Sequence, residues 1–260
     1  MMPGAPVADA VLADVRARTD ALVAAGHVPG LATLLVGDDP ASAGYIRMKQ
    51  EKAADLGFSS PHVHLPSTAT QADVLAAIAD FNADPTVDPD KDVDGMQPVN
   101  VGRLALGLPG PVACTPAGIE ALLAYYGIPV AGQDVCIVGR GATIGRPLAL
   151  LLSQKRDTAN AAVTVVHTGV PDWADHTRRA SIVIAAAGVP GMIRPEHLTP
   201  GVTVVGAGVR YEGRRLLPDV DESCEAVAGA LTPRLGGVGP TTIAMLFRNA
   251  VEAAERHARM

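Results

Sequence analysis

Cysteine is scarce: Cys114, Cys136 and Cys224 are the only three in 260 residues, far apart and with no C-x-x-C pair. An odd, scattered set excludes a disulfide framework and a cysteine-built zinc site, and it suits a reducing cytosol. Basic runs are also missing. Lys and Arg number 21 against 27 Asp and Glu, for a net charge of −6. That balance disfavours a general nucleic-acid binder but leaves room for a local cationic pocket. Long apolar runs are absent as well: the most apolar stretch, 182–193, holds two Gly and one Pro and stops at Arg194. A bilayer span needs about 20 apolar residues. The start, Met-Met-Pro-Gly-Ala-Pro, lacks the basic and apolar regions of a signal peptide. The expectation is a soluble cytoplasmic protein with neither a nucleic-acid nor a membrane partner.

What is present is a foldable α/β chain. Apolar residues make up 48% and charged residues 18%, enough for a sizeable core. Gly (27) and Pro (21) are dispersed, as turns between many short elements require. Apolar periodicity alternates between helix and strand, the pattern of a layered α/β fold. Helices are expected over 7–25, 42–56 and 70–82, with strands over 31–36 and 61–65. The alternation then falters. A strand is due after Asn82, yet Thr86-Val87 runs directly into Asp88-Pro-Asp-Lys-Asp-Val-Asp-Gly95. It resumes at Thr115-Pro116, where Thr suits an N-cap and Pro the first helical position. Strands follow over 134–138, 162–167, 181–186 and 202–205, with helices over 144–155 and 171–179 and a hairpin tip at 211–214. A last helix covers 241–259. The simplest boundary lies near Thr115, with a βαβαβ nucleotide-type domain after it.

Several constellations carry chemistry. Val135-Cys-Ile-Val-Gly139-Arg-Gly141-Ala-Thr-Ile-Gly145 reads as strand, glycine turn and helix start. Such glycines permit a tight turn, close approach of backbone N–H groups to a pyrophosphate, and helix–strand packing. The spacing is one residue longer than the usual fingerprint, so a plain structural turn stays open. The following strand ends in Val165-Val166-His167-Thr168, without the acid that an NAD site places on the ribose. Arg140 could instead meet a ribose phosphate, which favours NADP; a solvated Arg140 is the alternative. Ser42, Tyr45 and Lys49 share one helix face by spacing. A desolvated Lys beside a Tyr can move protons, though a solvated Lys would have the same spacing. Asp90-Lys-Asp92-Val-Asp94-Gly95 opens like a calcium loop, but Val101 stands where a bidentate Glu is needed. His62 and His64 share a strand face with no third ligand in view, so no metal is expected. Leu235-Gly236-Gly237-Val238-Gly239-Pro240-Thr241-Thr242 either lets a flat ligand approach the backbone or is only a linker.

Taken together, these stretches resemble the bifunctional methylenetetrahydrofolate dehydrogenase/methenyltetrahydrofolate cyclohydrolase family. The matching residues are Ser42-Ala-Gly-Tyr45-Ile-Arg-Met-Lys49, 88–95, 98–104, Cys114-Thr-Pro116, 139–147 and 236–242, in order over nearly the whole chain. The resemblance implies a two-domain α/β fold. An amino-terminal α/β catalytic domain (1–115) would be completed by the final helix (241–259) packing back on it, and a Rossmann-type NADP domain would cover 116–240. It implies a folate ligand in the cleft between domains, a homodimer, and a place in one-carbon metabolism serving purine, methionine and histidine biosynthesis. Lys49 would be the main proton carrier and Tyr45 would pack on the pterin, with Ser42 beside them. Asp94 would take the amino-pyrimidine edge, and Gly237 and Pro240 would line the folate side. Gly139, Arg140, Gly141, Ile144, Gly145 and Thr168 would hold NADP. This chain departs from the family between Val87 and Asp88, where a Gln-bearing strand and a proline loop are missing. Gln97 replaces His or Ser, Gly206-Ala-Gly208 replaces Asp-Val-Gly, and Leu235 replaces Pro. The alternative is a dehydrogenase-only or impaired folate-binding paralogue.

Overall fold

The computed structural model describes residues 1–81, 91–213 and 215–259. The strand expected after Asn82, the Val87–Asp88 junction and Asp90 lie outside the described residues. The chain divides into two compact units, Met1–Ala10 with Asp94–Met245, and Val11–Val93 with Leu246–Met260. Helices α1 (Ala5–Ala24) and α8 (Val238–Ala258) each contribute residues to both.

The first unit is built on a five-stranded parallel sheet in the order β4-β3-β5-β6-β9. Its strands are β3 (Asp134–Val138), β4 (Ala162–Val166), β5 (Ile182–Ala185), β6 (Thr203–Gly206) and β9 (Ala230–Leu231). Both faces are covered, which is why β3 and β5 are apolar at every central position rather than alternating. Ile137 and Ile184 pack with Ile119, Leu122 and Leu123 of α5 (Cys114–Tyr125) and Leu148, Leu151 and Leu152 of α6 (Gly145–Leu152). Cys136, Val138, Val183 and Ala185 belong to the opposite core, with Ile193 and Leu198. An antiparallel hairpin, β7 (Val209–Glu212) and β8 (Arg215–Pro218), turns through Gly213 at φ +59°. The unit also holds α4 (Pro98–Leu106) and α7 (Trp173–Arg179). All three cysteines are free and buried, and burial pushes the Cys136 and Cys224 thiols up to about 11.

In the second unit β1 (Thr33–Val36) pairs in parallel with β2 (His62–Leu65). Helix α2 (Pro40–Leu56) starts at the N-cap Asp39 and stops at Gly57, whose φ of +78° suits a left-handed cap. Helix α3 spans Gln71–Phe81. Phe58, buried just past α2, meets Phe247 edge-on at 5.3 Å. Helices α1 and α8 are tied by Arg18, which donates through Nε and Nη2 to Glu255 at 2.7 and 2.8 Å.

Two expected helix starts shift. Thr115 does not cap α5; Ala113 holds that position, and the Thr115 hydroxyl lies 3.1 Å from that of Thr242 instead. Pro116 still falls in the first turn, where its missing N–H costs no helical bond. Helix α8 begins at Val238 rather than Thr241, because Pro240 is tolerated within a first turn for the same reason. Among the described residues no helix is long and apolar enough to cross a membrane.

Candidate functional site

In the first unit the sheet's order reverses at β3, with β4 on one side and β5 on the other. Ligands of open α/β sheets bind at such a switch point, outside the carboxyl ends of the strands. The glycine turn lies there. The Gly139 N–H donates to the Val166 carbonyl at 2.8 Å, and its φ of +127° suits glycine alone. A Cβ on Gly139 would overlap the Ala186 carbonyl, and one on Gly145 would overlap the Gly139 carbonyl. By contrast, Gly141 faces open space, leaving the turn bare where a ligand's backbone contacts would form. Ile144 stands at the N-cap position of α6, with no side-chain bond to the helix's free N–H groups. These residues fit a pyrophosphate.

Beside the turn, Arg140 Nη1 lies 3.2 Å from His167 Nε2. The other ring nitrogen, Nδ1, accepts from the Gly169 N–H at 3.1 Å. The Gly169 N–H and the Arg140 guanidinium both only donate, and a neutral ring accepts at one nitrogen alone, so the ring cannot satisfy both. The exposed Arg140 guanidinium beside His167 is thus left with donors that fit an anion. The exposed Thr168 is next in sequence, and no carboxylate ends the strand. The sequence had offered His167 only as the absence of an acid; its place beside the Arg140 guanidinium emerges from geometry.

The glycine run at 236–242 has a structural reason. The Gly4 N–H donates to the Gly236 carbonyl at 2.8 Å, and a Cβ on Gly4 would overlap the Gly237 carbonyl. Gly237 in turn has the Pro233 carbonyl 2.6 Å from where a Cβ would sit. Pro240 lies in the first turn of α8. Asp94 is an exposed turn residue, set by buried Gly95 (φ +68°), which is pressed against the backbone of Val112 and Ala113. Gln97, an expected family departure, caps α4 by accepting from the Val99 N–H at 3.0 Å.

In the second unit the structure brings together two of the three α2 candidates. Lys49 Nζ stands 4.8 Å from the centroid of the Tyr45 ring, one turn earlier. Such a contact holds an ammonium over the ring's negative face. Ser42 is engaged elsewhere, its N–H and hydroxyl both donating to the Asp39 carboxylate at 2.8 and 2.7 Å. The buried Asn249 donates to the Val93 carbonyl at 2.8 Å, fixing the chain just before Asp94.

A doubly covered parallel sheet with a bare glycine turn at its switch point defines a dinucleotide-binding α/β enzyme. Residues 113–258 match the model of the tetrahydrofolate dehydrogenase/cyclohydrolase NAD(P)-binding domain, and residues 2–89 match that of the same enzymes' catalytic domain. Bifunctional protein FolD 1 of Salinispora tropica is 64% identical over 277 residues, covering 98% of this chain and 90% of that one. That matched length exceeds the 260 residues of this chain, so the relative carries residues that this chain lacks. The bifunctional FolD enzyme of Campylobacter jejuni superimposes with a TM-score of 0.91 at 33% identity, over 98% of both chains. The Trypanosoma brucei FolD enzyme, solved with NADP and an inhibitor, gives 0.88 at 33% identity over 100% of this chain and 98% of that one. The chain belongs to the tetrahydrofolate dehydrogenase/cyclohydrolase family. It is an oxidoreductase and hydrolase of one-carbon tetrahydrofolate chemistry, and the dehydrogenase-only or impaired alternative is not favoured.

Proposed function

We propose that this chain oxidises methylenetetrahydrofolate with NADP and hydrolyses the resulting methenyl compound to formyltetrahydrofolate, as a homodimer in the cytoplasm that neither enters membranes nor binds nucleic acid. Residues 1–115, completed by 241–259, take the folate chemistry, and residues 116–240 take the dinucleotide. Purine, methionine and histidine synthesis are the consumers of the one-carbon unit. The observation that carries the choice of NADP is the exposed Arg140 guanidinium beside His167, with no acid at the end of β4.

Bound NADP supplies a hydride acceptor. Gly139, Gly141, Ile144 and Gly145 seat its pyrophosphate on main-chain N–H groups, while Arg140 and Thr168 take the ribose phosphate. Tyr45 stacks on the pterin and keeps water from one face, with Ser42 at the start of the same helix. Asp94 accepts from the amino-pyrimidine edge, and Gly237 and Pro240 line the remainder of the folate. Lys49, held over Tyr45, takes the proton from the attacking water and returns it as the ring opens. No metal enters this scheme.

The test follows absorbance of the methenyl product with methylenetetrahydrofolate and either NADP or NAD. The product should form with NADP at concentrations where NAD gives little. Equal use of both dinucleotides would remove the phosphate assignment.

A further inference from the structure

The loop after β5, residues 186–191, lies against the glycine turn, and a single buried carboxylate holds it from behind. Asp219 follows β8 and is 1% exposed. Its Oδ2 accepts from the N–H groups of Ala187 at 2.7 Å and Gly188 at 2.9 Å. The Asp219 N–H donates to the Gly208 carbonyl at 3.0 Å, and Oδ2 fills the space that a Cβ on Gly208 would need. On the far side of the loop, the Ala186 carbonyl fills the space that a Cβ on Gly139 would need. Carboxylate, loop and glycine turn thus form one stack, without slack at either end.

Stability alone does not explain a charge in this place. Burial pushes the Asp219 carboxyl above its ordinary range, while the N–H groups of Gly188, Ala187 and Val189 pull it back down. A carboxyl raised on folding gives its stability below its unfolded value and loses it as pH rises through the folded value. The carboxylate form is thus disfavoured on folding, its N–H partners only partly offsetting the burial. A costly charge aimed at the main chain of a ligand-facing loop is suited to fixing that loop's position.

We propose that Asp219 is a positioning residue for the dinucleotide, setting the 187–189 main chain against the glycine turn. The proposal rests on the dinucleotide assignment above. Asp219→Asn keeps the shape and one acceptor oxygen while removing the charge. Calorimetric titration with NADP should give a Kd about tenfold or more weaker, the scale of a lost charge-assisted hydrogen bond. The ligand-free melting temperature should move by no more than about 4 °C. Hydrolysis of supplied methenyltetrahydrofolate, which consumes no dinucleotide, should keep its parental rate. Gly208→Ala displaces the same carboxylate from outside and should weaken NADP in the same way. Parental NADP affinity in Asp219→Asn would overturn the proposal. So would a parallel fall of NADP affinity, melting temperature and hydrolysis, which marks a purely structural role. A parent chain that binds no dinucleotide would overturn the functional assignment, and this proposal with it.

Discussion

In the first unit the groups proposed to meet a ligand are mostly main chain, while in the second they are side chains on a helix. The glycine turn at 139–145 offers N–H groups, and neighbouring main chain occupies the volume of the absent Cβ atoms at Gly139 and Gly145. Lys49 and Tyr45 project from α2 with the ammonium over the ring. The two designs differ in what they tolerate. A main-chain cradle fails when an atom is added where the packing leaves no room, whereas a side-chain pair survives a change of shape and fails when its chemistry is removed.

The largest effect on the first design should come from Gly145→Val. The added atoms overlap the Gly139 carbonyl, and over-packing of this kind costs about 1–3 kcal/mol. With the turn displaced, NADP titration should show no saturation, and thermal unfolding should report the lost stability. A variant that saturates like the parent would mean that the cradle is softer than its packing suggests. Arg140→Ala should act more narrowly. Loss of a charge-assisted phosphate contact costs about 1.5–3 kcal/mol. NADP binding should weaken roughly tenfold to a hundredfold, with NAD binding spared; equal loss of both would place Arg140 outside the phosphate site.

The turn and the α2 pair were legible in the sequence because each is local. A strand, three glycines and a helix start lie within 11 residues, and Tyr45 and Lys49 are one helical turn apart. Helix α4 escaped notice although its signals are present. Gln97 caps it, Pro98 opens it and Gly107 closes it in a left-handed conformation, but its nine residues follow a turn-rich stretch. Strand β9, two residues long, is too short for any periodicity. Asp219 could not be read at all. It leaves a hairpin like any solvated acid, and its carboxylate's partners lie more than 30 positions away. Long-range polar pairing has no sequence period.

The smallest effect should come from the second unit's helix tie. The Arg18 guanidinium holds the Glu255 carboxyl below its ordinary range, the opposite direction from Asp219. A lowered carboxyl contributes stability above its unfolded value and loses it as pH falls through the folded one. Glu255→Gln should therefore cost at most about 1 kcal/mol at neutral pH, as partly exposed pairs do, with the difference vanishing in acid. Melting curves from neutral pH to pH 3 check the sign. A cost that grows on acidification would contradict it.

The division of labour between main chain and side chain is tested most directly by Lys49→Met, which keeps the stem and removes the ammonium. Both functions are measured on one preparation: decay of supplied methenyltetrahydrofolate, and calorimetric titration with NADP. Hydrolysis should fall by about 10²–10⁴-fold, the usual contribution of a general acid–base group, with the NADP Kd unchanged. Parental hydrolysis in this variant, or loss of both functions together, would contradict the account.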